Sequence, residues 1–170
     1  SHVRMSCFDT MLDILDKSGA EARVLFHGYY NSEIIKQLMQ HPAVIFASDA
    51  WPEPGGHENP AAFGTFPRFL RTARKSGNLS LELVVHKMTG AAASRFGLDR
   101  RGLVREGFAA DLTVFDWNLV GDRGSDEEEA TPEGIDYVFV NGVALLSHGR
   151  VNQASRPGVS LSVSTPRGSC

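Results

Sequence analysis

The 170-residue chain carries 17 Lys plus Arg against 20 Asp plus Glu, a formal net charge of -3, with 42% hydrophobic and 22% charged residues. That mild balance argues against nucleic acid or an anionic membrane surface as a partner, and no apolar run approaches the ~18 residues that a membrane span needs. Cys7 and Cys170 make neither a disulfide framework nor a metal-ligand spacing, and no charged-then-apolar leader is present, so a reduced, cytoplasmic setting is expected.

Apolar Phe8, Met11, Leu12, Ile14 and Leu15 recur at helical spacing and predict a helix over 8–17, which Ser18-Gly19 ends. Arg23–Gly28 reads as a short buried strand. Asn31 or Ser32 is suited to cap a helix through Gln40, with Glu33 supporting its positive end and His41-Pro42 stopping it. The run Ala43–Ser48 reads as a buried strand that ends on Asp49 and opens into a Pro- and Gly-rich loop reaching Gly64. Helices are predicted over 65–75, where Phe66, Phe69 and Leu70 supply an apolar face, and over 80–89, where Ser80 starts the pattern. Helices alternating with buried strands are the βα order of a parallel barrel or open sheet.

From about Arg101 the pattern changes to short strands at Leu112–Phe115, Tyr137–Val140 and Val143–Leu146. Asn141-Gly142 is a two-residue hairpin signal, because both central residues of a type I′ turn need positive φ. The acidic stretch Gly121–Ala130 is expected to be a solvated loop, and 161–170 a disordered tail.

Ser48-Asp49-Ala50, Gly64-Thr-Phe-Pro-Arg68, Lys87-Met-Thr89, Arg95-Phe-Gly-Leu98 and Ala110-Asp-Leu-Thr-Val-Phe-Asp116 follow one another in that order. The ordered set resembles the C-terminal portion of the D-aminoacylase (N-acyl-D-amino-acid deacylase) branch of the metal-dependent amidohydrolases, from about Ser32 to about Gly158. The resemblance implies an α/β fold. Residues 1–100 would be the last β/α units of a TIM-like barrel, and 101–160 the C-terminal part of a small β-sandwich that the family assembles from both ends of its chain. Such a barrel alone needs roughly 250 residues. The chain is therefore expected to be a C-terminal piece of an enzyme hydrolysing the amide C–N bond of an N-acyl amino acid or related small molecule, and inactive by itself. The resemblance also implies Zn²⁺ in the full-length parent. No His-x-His pair occurs here, so no metal is expected on this chain, unless Asp49 contributes to one. A non-catalytic domain acting by dimerisation or partner binding is the alternative, and homo-oligomerisation stays open with it.

By motif position Asp49 is the family's catalytic acid, which takes a proton from water and passes it to the leaving amine. The plainer reading of Asp49 is a cap on the following loop. Relatives of this branch typically carry His-Pro-Arg where this chain has Asn59-Pro60-Ala61, so the cation that holds the substrate carboxylate is absent here. His57 and Arg68 are the candidate substitutes, against a solvated loop histidine and a structural ion pair. His27, His41, His86 and His148 carry no pattern that demands function, and Lys87 is assigned no catalytic role.

Overall fold

The structure, a computed structural model, describes residues 6–19, 31–50, 61–122 and 131–161. It divides into two compact units, Ser1–Ile34 and Ile35–Cys170. In the first, helix α1 (Cys7–Lys17) starts one residue before its predicted position because Ser6 caps it, accepting the Asp9 N–H at 3.1 Å. Ser18 closes the helix and Gly19, at φ 61°, takes the left-handed conformation that releases the chain. Asn31 rather than Ser32 caps α2 (Ser32–Gln40), its side-chain oxygen accepting the Glu33 and Ile34 N–H groups at 3.1 Å each.

In the second unit, α3 (Ala61–Ser76), α4 (Leu81–Met88) and α5 (Gly90–Arg95) follow in sequence. Helix α3 begins four residues before its predicted start at 65: Gly64 and Pro67, both helix-weakening residues, lie in its first two turns. Ser80 caps α4 as its sequence predicts, accepting the Leu83 N–H at 3.2 Å. Met39, Phe46, Leu70, Ala73, Leu79, Val84 and Val120 form the buried core. No helix among the described residues is long and apolar enough to cross a membrane.

Four strands follow in a meander of order β1-β2-β3-β4: β1 (Leu112–Phe115), β2 (Ile135–Val140), β3 (Val143–Ser147) and β4 (Arg150–Val151). The hairpin predicted at Asn141-Gly142 is present, with φ of 46° and 80° and Val140 paired to Val143. A second tight turn at His148-Gly149 (φ 45° and 76°) adds β4, which at two residues is too short to show an alternation in sequence. Asp111 explains why an acid precedes β1. It accepts the Asn141 N–H at 2.8 Å and pairs with Arg101, whose guanidinium also reaches the Asn141 side chain. The β2–β3 turn is thereby tied to the entry of β1.

Two expectations are corrected here. Ala43–Ser48 belongs to no sheet among the described residues, and every described strand pairs antiparallel. A strand exists through its ladder partners, and those of this segment are helical: the Phe46 N–H goes to the Lys87 carbonyl at 3.2 Å. The strand predicted over 23–28 lies outside the described residues, as does the tail from 162. The second correction is at Gly121-Asp122, expected to be solvated. Both are buried, and Gly121 bridges to Glu133 as an isolated antiparallel pair.

Candidate functional site

Asp49 is exposed and has a φ of 51°. That left-handed backbone is uncommon outside glycine, though Asp tolerates it better than most residues. The segment itself is firmly held. The Phe46 ring stacks on Phe69 of α3 with centroids 4.3 Å apart, and Phe46 is only 6% exposed. Lys87 of α4, 2% exposed, donates from Nζ to the His41 carbonyl at 2.5 Å and to the Val44 carbonyl at 2.7 Å. Burial pushes its ammonium below the ordinary lysine value. Sequence reading gave Lys87 no catalytic role, yet a signal of its burial was present: Val84 and Lys87 sit at i and i+3, on one face of α4.

Arg68, Arg71 and Arg74 recur every three residues along α3 and grip the chain between β1 and β2. Arg68 Nε donates to Asp122 Oδ2 at 2.8 Å. Arg71 donates to the Asp122 carbonyl at 2.9 Å and places a second nitrogen 2.8 Å from Oδ1, out of hydrogen-bond alignment. Arg74 donates to the Trp117 and Val120 carbonyls at 2.5 and 2.7 Å and lies over the Trp117 ring. The Asp122 side chain is 6% exposed, whereas that of Arg68 remains 58% exposed. Arg68 is thus anchored at Nε while much of its side chain faces solvent. Asp122 was missed in the sequence because it opens an acidic stretch that resembles a solvated loop.

A cavity of about 620 Å³ opens between α3, α4 and the first two strands. Phe66, Leu70, Met88, Leu112, Phe115 and Val138 make its walls apolar, and Glu82 and His86 edge it. A hydrogen bond from its own backbone N–H, followed by one from the Ser80 hydroxyl, holds the Glu82 carboxyl below the usual range. Asp49 and Arg68 are not among the lining residues. His57 lies outside the described residues, as do Asn59 and Pro60.

The amidohydrolase family pattern matches residues 4–145. The chain belongs to the amidohydrolase family.

Its relatives place it in the D-aminoacylase branch. It is 40% identical over 127 residues to an N-acyl-D-aspartate deacylase of Alcaligenes xylosoxydans xylosoxydans, an alignment covering 73% of this chain and 25% of that protein. A D-aminoacylase structure, studied for the role of its binuclear metal centre, superposes with a TM-score of 0.67 at 34% identity, over 72% of this chain and 26% of the other. The N-acyl-D-glutamate deacylase of Bordetella bronchiseptica, solved with zinc and a phosphonate mimic of the tetrahedral intermediate, superposes with a TM-score of 0.63 at 35% identity, over 68% and 24%. The chain therefore spans about a quarter of the length of the relatives it matches.

This amidohydrolase chain does not assemble a metal site from its described residues. No three His, Cys, Asp or Glu side chains gather among them, and a catalytic zinc takes three protein ligands. The described residues do not fit the ion by themselves.

Proposed function

We propose that this chain is the C-terminal share of an N-acyl-amino-acid deacylase, contributing the last β/α units of its barrel (1–100) and strands of its small sandwich (101–160). In this reading the complete protein is cytoplasmic, cleaves a small-molecule amide and carries Zn²⁺ on ligands outside this chain, which binds none by itself. The observation that carries the reading is Asp49. An exposed carboxylate sits on a left-handed residue at the end of a pinned segment, in a chain 40% identical to an N-acyl-D-aspartate deacylase. Exposed apolar side chains add support: Val104 is 90% exposed, Leu119 60% and Phe96 58%, surface that the rest of the parent would cover.

In the reaction, water attacks the amide carbonyl carbon and the Asp49 carboxylate accepts its proton. The tetrahedral adduct then collapses: the C–N bond breaks, Asp49 returns the proton to the leaving nitrogen, and a carboxylic acid and a free amine depart. Rigid attachment matters because the same oxygen must reach the water first and the nitrogen second. The test is an assay of the complete protein against N-acetyl amino acids of both configurations and against cyclic amides, measuring release of free amine. Hydrolysis of members of that panel supports the reading, and no release from any of them overturns it.

Substrate choice follows from position 61. Ala61 opens α3 where the resemblance calls for an arginine. A substrate carboxylate without its guanidinium loses a charge-assisted bond of about 1.5–3 kcal/mol, or roughly 10–100-fold in binding. The complete protein should therefore favour amides without a free α-carboxylate, or bind that carboxylate through His57 or Arg68. Ala61→Arg is expected to raise kcat/KM for N-acetyl-D-amino acids by about the same 10–100-fold. Efficient hydrolysis of those substrates by the unmodified protein, at a rate Arg68→Ala leaves intact, contradicts this account of specificity.

A further inference from the structure

We propose that Lys87 is a positioning residue for Asp49, fixing where the catalytic carboxylate stands without touching substrate; the proposal rests on the reading of Asp49 given above. The same residue holds the approach to Asp49 by both its side chain and its backbone. Its ammonium takes the His41 and Val44 carbonyls at 2.5 and 2.7 Å, and its own carbonyl accepts the Phe46 N–H at 3.2 Å. Nζ also lies 5.7 Å from the centre of the Phe46 ring, which stacks on Phe69 of α3. Every anchor falls between His41 and Phe46, and Asp49 follows three residues later.

A buried ammonium is a costly way to fill space. A methionine has similar length, fits the same apolar surroundings and loses no hydration, so packing alone does not account for a lysine here. Among the described residues its charge meets carbonyl oxygens, with no carboxylate in an ion pair. A group that binds carbonyl oxygens at fixed distances specifies a backbone path, which an apolar side chain cannot do. The depressed ammonium pKa is consistent with this degree of burial. With Lys87 removed, the carbonyls of His41 and Val44 lose their donor and the segment can shift against α4. A displacement of about 1 Å at a proton-transferring group is enough for a loss of order 100-fold in rate.

The test compares Asp49→Asn, Lys87→Met and Lys87→Arg in the complete protein, with kcat, KM and melting temperature measured for each. Lys87→Met is expected to lower kcat by about 10- to 100-fold, with KM within about threefold of wild type. Lys87→Arg keeps donors but places them on a larger planar head, and is expected to recover part of the loss. A structural role alone would lower the melting temperature and leave kcat of the folded protein unchanged. Should Lys87→Met not fold, Lys87→Arg decides: a reduced kcat at unchanged KM supports the proposal, and wild-type kcat overturns it. If Asp49→Asn lowers kcat while folded Lys87→Met retains it within twofold, the positioning proposal falls and the role of Asp49 stands. If Asp49→Asn itself is active, the underlying reading falls and takes the proposal with it.

Discussion

Asp49→Asn is expected to lower kcat of the complete protein by about 10²–10⁴-fold, the range typical for a side chain that moves a proton in the rate-determining step. The substitution preserves size and one hydrogen-bond acceptor but removes the basic oxygen. Asparagine also tolerates the left-handed φ of 51° about as well as aspartate does. Folding, substrate KM and metal content should therefore stay close to wild type, and the loss should fall on kcat. Steady-state kinetics, with metal analysis of the same preparations, measure all of these. Retention of more than about a tenth of the activity excludes general-base duty for Asp49. A parallel loss of metal would make it a ligand instead.

Gly134→Ala should produce the largest loss of stability. Gly134 precedes β2 at φ +73°, where an L side chain is strained, and its carbonyl accepts the Asp116 N–H at 2.9 Å. A Cβ at this position would meet Val120 N at 2.5 Å, Val120 Cα at 2.7 Å and Leu119 C at 2.8 Å. All three are backbone atoms, in the stretch that Arg71 and Arg74 hold against α3, so no rotamer change relieves the clash. Left-handed strain of about 1–3 kcal/mol and overpacking of about 1–3 kcal/mol combine to roughly 2–6 kcal/mol. Urea unfolding of the variant beside wild type reads this directly, and a loss below about 0.5 kcal/mol would contradict the close approach.

Much of the fold was legible because its signals are local. Ser80 ahead of an apolar period predicts α4, and Asn141-Gly142 with alternating neighbours predicts the β2–β3 turn; both are decided by residues within a few positions of one another. Ala43–Ser48 shows where locality ends. Its apolar, β-branched composition suits a strand, but strand structure depends on a neighbouring ladder, and its described hydrogen bonds go to His41 and to Lys87 of α4. Buried charge was the other blind spot. Lys87 and Asp122 belong to types that normally face water, and Asp122 meets Arg68 across 54 residues of sequence. Only the recurrence of arginine at positions 68, 71 and 74 hinted that α3 holds something acidic. Asp49 could be singled out because an acid ending an apolar run is itself a local pattern. The proposed substrate contact His57, with Asn59-Pro60, falls outside the described residues.

In the proposed function this chain supplies one share of a deacylase site and not the whole of it. The most direct measurement is amine release from N-acetyl-D-amino acids by the purified 170-residue chain with added Zn²⁺, run beside the complete protein. Hydrolysis by the complete protein, and none above buffer by the chain alone, is expected. Turnover by the isolated chain that Asp49→Ala abolishes would contradict it.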